Sequence, residues 1–106
     1  MKIINNIDII KKKIKKNKIS MIDFWANWCN PCLYINPIIE YIHKKYKNKI
    51  FIYKINIEKY ENITVEYNIQ SIPTIIFFSY GKEIYRHIGM INKSKLIKIC
   101  NKLIKD

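Results

Sequence analysis

A near-continuous apolar run from Ile19 to Ala26 limits what this chain can fold into. A strand this apolar has no face suited to water, so it belongs in the interior of a sheet covered on both sides. Asp23 interrupts the run, and a carboxylate there is costly to bury unless it is paired or protonated. Asp23 therefore either faces solvent at a strand end or is buried for a chemical reason.

The first half of the chain alternates between helical and strand patterns. Isoleucines at helical spacing predict an amphipathic helix over residues 8–17. A second helix is predicted from Pro31 onward, and Pro37 is expected to kink it. The segment from Lys49 to Ile57 is rich in β-branched and aromatic residues, which predicts a second central strand, and Lys2 to Ile4 is a candidate for a further short one.

The second half ends in a hairpin and a helix. A short helix is predicted over residues 59–67, and strands are predicted from Thr74 to Ser79 and from Glu83 to Ile88, joined at Tyr80-Gly81. Asn92 is the expected N-cap of the last helix. Strands alternating with helices and followed by a hairpin predict an α/β fold, a mixed sheet with helices on both faces.

Length and composition exclude several classes of protein. The chain of 106 residues predicts one domain over residues 1–106. No apolar run reaches the roughly 18 to 20 residues that span a bilayer, and the N-terminus lacks a secretory signal pattern, so we expect no membrane partner. The net charge of +12 comes with one arginine, Arg86, and many residues with A/T-rich codons, so codon bias explains it better than nucleic-acid binding.

Cys29 and Cys32 form a C-x-x-C pair that can be a redox couple, half of a zinc site or a structural staple. Zinc needs two more ligands at metal spacing, but Cys100, His43 and His87 are scattered, so we expect no metal site and assign the histidines no role. A staple across so short a loop removes little entropy from the unfolded chain. A redox couple is therefore the favoured interpretation.

The position of the pair explains how such a couple works. Cys29 opens a helix, where unpaired N–H groups and the helix dipole favour a thiolate that attacks a partner disulfide. Cys32 then attacks the mixed disulfide and releases the reduced partner. A buried Asp23 with a raised pKa is suited to accept the Cys32 proton, and Lys54, which interrupts the other central strand, is expected to tune that proton affinity.

These residues resemble the thioredoxin family. The resemblance covers essentially the whole chain without a gap and lies in four segments: IDFWANWCNPC (residues 22–32), YKINIE (53–58), SIPTIIFF (71–78) and GKEIYRHIGM (81–90). It implies the thioredoxin fold, a five-stranded mixed β-sheet flanked by four α-helices. It also implies a protein-disulfide reductase with Cys29 as nucleophile, Cys32 as resolving thiol, Asp23 as buried carboxylate and Lys54 as its partner. The Cys29–Cys32 disulfide is then the redox group, with no other cofactor.

The resemblance also implies a substrate-binding surface. Pro73 is expected to follow a cis peptide bond, and the backbone before it is expected to pair with an extended substrate segment. A flat apolar patch around the thiol is implied, with Asn30 at its rim; for any one of the apolar residues, core packing is the alternative. Its expected residues are Trp28, Asn30, Pro31, Ile57, Ile72, Pro73, Ile88, Gly89 and Met90. Trp25 is expected to be a packing residue beneath the active site.

The chain departs from the family at several positions. Asn30, Asn68 and Ser71 stand where glycine is usual, and Asn68 is expected to keep a glycine-like turn because asparagine tolerates positive φ. Asn30 either donates a hydrogen bond to a thiolate or substrate, or is a tolerated replacement in an asparagine-rich chain. Leu33 replaces a residue that is often basic. Cys100, on the apolar face of the last helix, is expected to be a buried, inert thiol.

The expected partners are thioredoxin reductase and disulfide-containing proteins, with the chain acting as a monomer. The expected compartment is the cytoplasm, with an organelle stroma after removal of a transit peptide as the alternative. Two other functions stay open. One is a more oxidising or more specialised relative, since Asn30-Pro31 is an unusual dipeptide between the cysteines. The other is a non-catalytic subunit of a larger complex.

Overall fold

A five-stranded mixed sheet forms the centre of the molecule. The computed structural model describes residues 2–3 and 6–105, with side chains from residue 6 onward. The sheet has the order β1-β3-β2-β4-β5, with strands β1 (Lys2–Ile3), β2 (Ser20–Trp25), β3 (Phe51–Asn56), β4 (Thr74–Ser79) and β5 (Lys82–Ile88). The helices are α1 (Ile7–Lys16), α2 (Asn30–Lys45), α3 (Ile63–Glu66) and α4 (Lys93–Lys105).

The strand β2 lies in the middle of the sheet, parallel to β3 on one side and antiparallel to β4 on the other. Residues 20–24 are all buried, which confirms the prediction that this strand is covered on both faces. Asp23 has Lys54 as its neighbour on β3 and Ile75 as its neighbour on β4. Because paired residues point to the same face, the register brings Lys54 beside Asp23.

Each face of the sheet has its own apolar core. On one face, Met21 and Phe77 pack with residues of α2 and α4, such as Ile39 and Leu96. On the other, Ile22 and other strand residues pack with residues of α1 and α3. The alternation of side chains along β2 therefore turns Met21 and Asp23 toward α2, the helix that carries the cysteines.

Asparagines and a glycine define the ends of several elements. The side chain of Asn92 accepts a hydrogen bond from the Lys95 N–H at 2.8 Å, as expected of the N-cap of α4. The hairpin turns at Tyr80 and Gly81 with φ of 48° and 85°, the left-handed conformation that such two-residue turns require. Asn68 has φ of 53°, which confirms the glycine-like turn expected there.

The elements differ from the prediction in two places. The helix predicted over residues 59–67 is wrong in extent, since α3 covers Ile63–Glu66. Asn62, which precedes it, is left-handed with φ of 66°, and a right-handed helix cannot continue back through that conformation. Of the candidate first strand, Lys2–Ile3 is β1, and Ile4 lies outside the described residues. Across the described chain, no helix is long and apolar enough to span a bilayer.

Candidate active site

Cys29 and Cys32 lie where the chain leaves β2 and enters α2. A turn closed by the Cys29 N–H and the Ala26 carbonyl, at 3.2 Å, redirects the backbone from the sheet into the helix. Cys29 is the N-cap of α2, and Cys32 stands in its first turn with Pro31 between them. Their Cα atoms are 5.3 Å apart, and the two sulfurs form a disulfide. The C-x-x-C pair therefore has the strand-to-helix setting that the sequence predicts.

The two sulfurs have different surroundings. The Cys29 sulfur accepts a hydrogen bond from the Cys32 N–H at 3.2 Å, and it sits at the positive end of a helix of 16 residues. Both features stabilise a negative charge on Cys29 once the disulfide is reduced. Cys29 is 4% exposed, whereas Cys32 is fully buried. An incoming disulfide can therefore reach Cys29 first.

Asp23 is fully buried, and among the described residues neither of its carboxylate oxygens has a hydrogen-bond partner. Burial raises the pKa of Asp23 from 3.8 to about 6, and the positive charge of Lys54 opposes that rise. The alternative in which Asp23 faces solvent is wrong. A carboxyl with a pKa near neutrality can both accept and donate a proton under ordinary conditions.

Lys54 is adjacent to Asp23 in register, but its ammonium points elsewhere. The Nζ atom donates a hydrogen bond to Oδ1 of Asn36 on α2 at 2.6 Å and lies 4.7 Å from the centre of the Trp25 ring. Among the described residues, Lys54 and Asp23 form no ion pair within 4.0 Å. The expected partnership of these two residues therefore acts through charge at a distance. Trp25 itself is half-buried against the cysteines.

Pro73 follows a cis peptide bond after Ile72, as expected. Hydrogen bonds hold this loop on two sides. The Gly89 N–H donates to the Pro73 carbonyl at 2.8 Å, and the Thr74 hydroxyl donates to the Ser71 carbonyl at 2.7 Å. Gly89 has φ of 92°, which favours glycine there.

An apolar surface lies beside these loops. Trp28, 64% exposed, forms one wall of a cavity of about 380 Å³ together with Ile57 and Ile72. The cavity is also lined by Thr64, Ile69, Gln70 and Ser71. Ile88 and Met90 are exposed on either side of Gly89 and do not line this cavity. The structure thus brings three of the expected substrate-binding residues together in one cavity, and the Gly89–Pro73 hydrogen bond joins the segment of Ile88 and Met90 to the loop that contains Ile72.

Asn30, Pro31 and Pro37 lie on α2 with exposed side chains. The helix continues across Pro37 as far as Lys45. Within residues 6–105, the Asn30 side chain makes no hydrogen bond to either cysteine.

Comparison with known proteins places this geometry in a family. The thioredoxin family model matches residues 3–102. The chain belongs to the thioredoxin family. It is therefore a thiol–disulfide oxidoreductase whose redox-active pair is Cys29 and Cys32 and whose substrates are disulfide-containing proteins.

Relatives from several organisms support this assignment. The thioredoxin of Rickettsia felis is 41% identical over 95 residues, which cover 89% of this chain and 90% of that protein. The chloroplastic M-type thioredoxin of Spinacia oleracea is 46% identical over 76 residues, covering 72% of this chain and 42% of that protein. Among solved structures, Plasmodium falciparum thioredoxin superposes with a TM-score of 0.87 at 29% identity, covering 96% of this chain and 98% of that one.

Several other groups in this chain do not belong to the redox pair. Cys100 is fully buried, and burial raises the pKa of its thiol to about 12, which agrees with an inert thiol. Over the described chain, no group of three or more histidine, cysteine or acidic residues could hold a metal ion. A larger cavity of about 460 Å³, lined by Lys13, His43 and Phe51 among others, contains neither cysteine of the pair.

Sequence reasoning did not single out two residues that contact this site. Asn36 binds Lys54, and Thr74 holds the loop before it through Ser71. Asn36 follows Cys32 by four residues on a predicted helix, so the two lie on one helix face. That spacing was the available signal for Asn36. Its contact with β3 required the packing of α2 on the sheet.

Proposed function

We propose that this chain acts as a general reductase of protein disulfides, with Cys29 as the attacking thiol and Cys32 as the resolving thiol. The observation that supports this most is the placement of Cys29 at the N-cap of α2 together with a buried, unpartnered Asp23 on the strand beneath that helix. A dithiol built only as a structural element has no need of a buried carboxyl that is costly to ionise.

The proposed reaction has two exchange steps. The Cys29 thiolate attacks one sulfur of the partner disulfide, forms a mixed disulfide and expels the partner's other sulfur as a thiolate. Asp23 then accepts the Cys32 proton, directly or through water, and the Cys32 thiolate attacks the Cys29 sulfur. The Cys29–Cys32 disulfide forms, and the partner leaves with both sulfurs reduced. The two electrons gained by the partner come from the dithiol.

The proposed substrate surface is the apolar region beside the cysteines. Trp28, Ile57 and Ile72 line one cavity. Ile88 ends β5, and Gly89 and Met90 follow it, with Gly89 hydrogen-bonded to Pro73. Exposed apolar side chains suit weak recognition of many partners, while the backbone before Pro73 pairs with an extended substrate segment. Asn30 and Pro31, exposed at the start of α2, border the approach to Cys29.

Reduction of insulin disulfides tests this proposal, with dithiothreitol or thioredoxin reductase and NADPH as the electron source. We expect the wild-type chain to accelerate insulin precipitation and Cys29→Ser to abolish the acceleration. Cys32→Ser should trap the mixed disulfide on Cys29, which mass spectrometry detects. Cys100→Ser is the matched control, because it also removes one cysteine but is expected to retain activity. Loss of activity in Cys100→Ser, or retention in Cys29→Ser, contradicts the assignment.

We also propose thioredoxin reductase as the electron donor, a monomeric state and a cytoplasmic location, an organelle stroma being the alternative compartment. Turnover with purified reductase and NADPH tests the first, and sedimentation equilibrium tests the second. A more oxidising enzyme would show a higher reduction potential against a glutathione buffer. A non-catalytic subunit would bind its complex equally well as wild type and as Cys29→Ser.

A further inference from the structure

The side chain of Lys54 has two possible anchors, Asp23 and Asn36, and the structure shows it bound to Asn36. The backbones of Lys54 and Asp23 are register neighbours on adjacent strands, which lie about 4.8 Å apart. A buried carboxylate beside an ammonium group ordinarily forms an ion pair, because pairing offsets the cost of burying the charge. Here the ammonium binds Asn36, and within the described part of the chain neither oxygen of Asp23 has a hydrogen-bond partner.

Asn36 is suited to hold the ammonium. It is half-buried on α2, one helical turn beyond Cys32, and its Oδ1 lies 2.6 Å from Nζ of Lys54. The Trp25 ring, 4.7 Å from the same ammonium, provides a second attraction through its electron-rich face. The Asn36 amide and the Trp25 ring are both uncharged, so they hold the lysine ammonium without adding a negative charge near the dithiol.

We propose that Asn36 is a positioning residue that holds the Lys54 ammonium away from Asp23 and so keeps Asp23 available as a proton acceptor. This inference rests on the role given to Asp23 under the proposed function. Asn36 itself touches neither sulfur in the described contacts, and it acts through Lys54.

Lys54 is the charged group that acts on the pKa of Asp23 in the folded protein. The neighbour of Asp23 on β4, Ile75, is apolar, and α2, which packs on this face of the sheet, carries Cys32, whose sulfur does not titrate while the disulfide is intact. Lys54 on β3 is the charged group that lowers the pKa of Asp23. With the ammonium on Asn36, burial still raises that pKa to about 6. Direct pairing would lower it further and make Asp23 a weaker base.

Paired variants of Asn36 test the inference. Asn36→Leu keeps the size of the side chain, favours the helix and removes the acceptor, so Lys54 is free to move to Asp23. We expect the pKa of Asp23, followed by carboxyl ¹³C NMR in the oxidised protein, to fall by about one pH unit or more. Asn36→Asp keeps an acceptor for Lys54 and should not lower that pKa. A merely structural role of Asn36 would not separate the two variants in this way.

The Lys54→Met background provides the decisive control. If Asn36 acts through Lys54, adding Asn36→Leu to Lys54→Met leaves the pKa of Asp23 unchanged. A fall in the double variant equal to that in Asn36→Leu alone overturns the inference, as does an unchanged pKa in Asn36→Leu alone. Circular dichroism and thermal unfolding confirm that each variant is folded before the titration.

A kinetic measurement separates this inference from the proposed role of Asp23. Quenched-flow decay of the mixed disulfide reports the resolving step, which we expect to slow a few-fold in Asn36→Leu and to recover in Asn36→Asp. If Asn36→Leu lowers the Asp23 pKa but Asp23→Asn leaves the resolving rate unchanged, the positioning stands and the catalytic role of Asp23 fails. If Asn36→Leu leaves that pKa unchanged but Asp23→Asn slows the resolving step, the catalytic role stands and the positioning fails.

Discussion

Replacing Asp23 with asparagine is expected to stabilise the folded protein above about pH 6 and to change its stability little near pH 4. The carboxyl is fully buried and has no hydrogen-bond partner among residues 6–105, so ionising it is costly in the folded protein. Asparagine has nearly the same shape and carries no charge at any pH. The variant therefore removes the cost of ionisation and leaves the packing close to that of the protonated carboxyl.

The pKa of Asp23 determines the size and the sign of the effect. Burial raises it from 3.8 to about 6 in the folded state, so between these pH values the folded chain keeps a proton that the unfolded chain has released. Asp23 therefore makes the wild type less stable at pH 8 than at pH 4. The pKa rises by about 2 units, and each unit is worth about 1.4 kcal/mol. The free energy of unfolding of the wild type is therefore lower by about 3 kcal/mol once Asp23 is ionised.

Urea unfolding of the oxidised proteins between about pH 4 and pH 8 measures this effect. With an m-value of about 2 kcal/mol/M, Asp23→Asn should raise the midpoint by about 1.5 M at pH 8 relative to wild type. Glu61→Gln, which neutralises an exposed carboxyl, is the matched control for net charge and should change the midpoint little at either pH. Equal stabilisation by Asp23→Asn at both pH values, or none at pH 8, refutes the reasoning.

Four further perturbations give independent checks. Phe24→Ala leaves a cavity at a fully buried position and should lower the unfolding free energy by about 3–5 kcal/mol in the same urea assay. Asn92→Ala removes the N-cap of α4 and should cost about 1 kcal/mol. In the oxidised protein, Cys100 should react with Ellman's reagent only after denaturant is added, because its pKa is raised to about 12 and its side chain is buried; rapid labelling of the folded protein contradicts this. If Asn30 bonds the Cys29 thiolate after reduction, Asn30→Gly shifts the reduction potential, whereas an unchanged potential shows a tolerated replacement.

Much of the fold was predictable because local patterns and global packing agree along most of the chain. The apolar run around Asp23 predicted a central strand, Tyr80-Gly81 predicted the hairpin turn, and Asn92 predicted the start of α4. The helix predicted over residues 59–67 was too long. Its apolar and polar residues fit a helical period, but the left-handed Asn62 that limits α3 has no clear signature in the local pattern.

The redox pair was also predictable, because two cysteines at a strand-to-helix junction have their geometry imposed by local backbone structure. The surroundings of the redox pair were less predictable from the sequence. The cavity beside Trp28 includes Thr64 and Gln70, which lie far from Trp28 in sequence, and no periodicity predicts that they meet it. Likewise, Lys54 was expected to act with Asp23, yet its hydrogen bond goes to Asn36.

By itself, the sequence determined the order of strands and helices, the position of Cys29 and Cys32 at the start of a helix, and the presence of a carboxylate in a buried strand. These are properties of neighbouring residues, and hydrophobic period, capping and turn chemistry act over a few positions. Only the tertiary structure decided how fully Asp23 is removed from water and which acceptor holds Lys54. Burial and long-range contacts depend on how α2 and β3 pack together, and that packing sets the proton affinity beneath the dithiol.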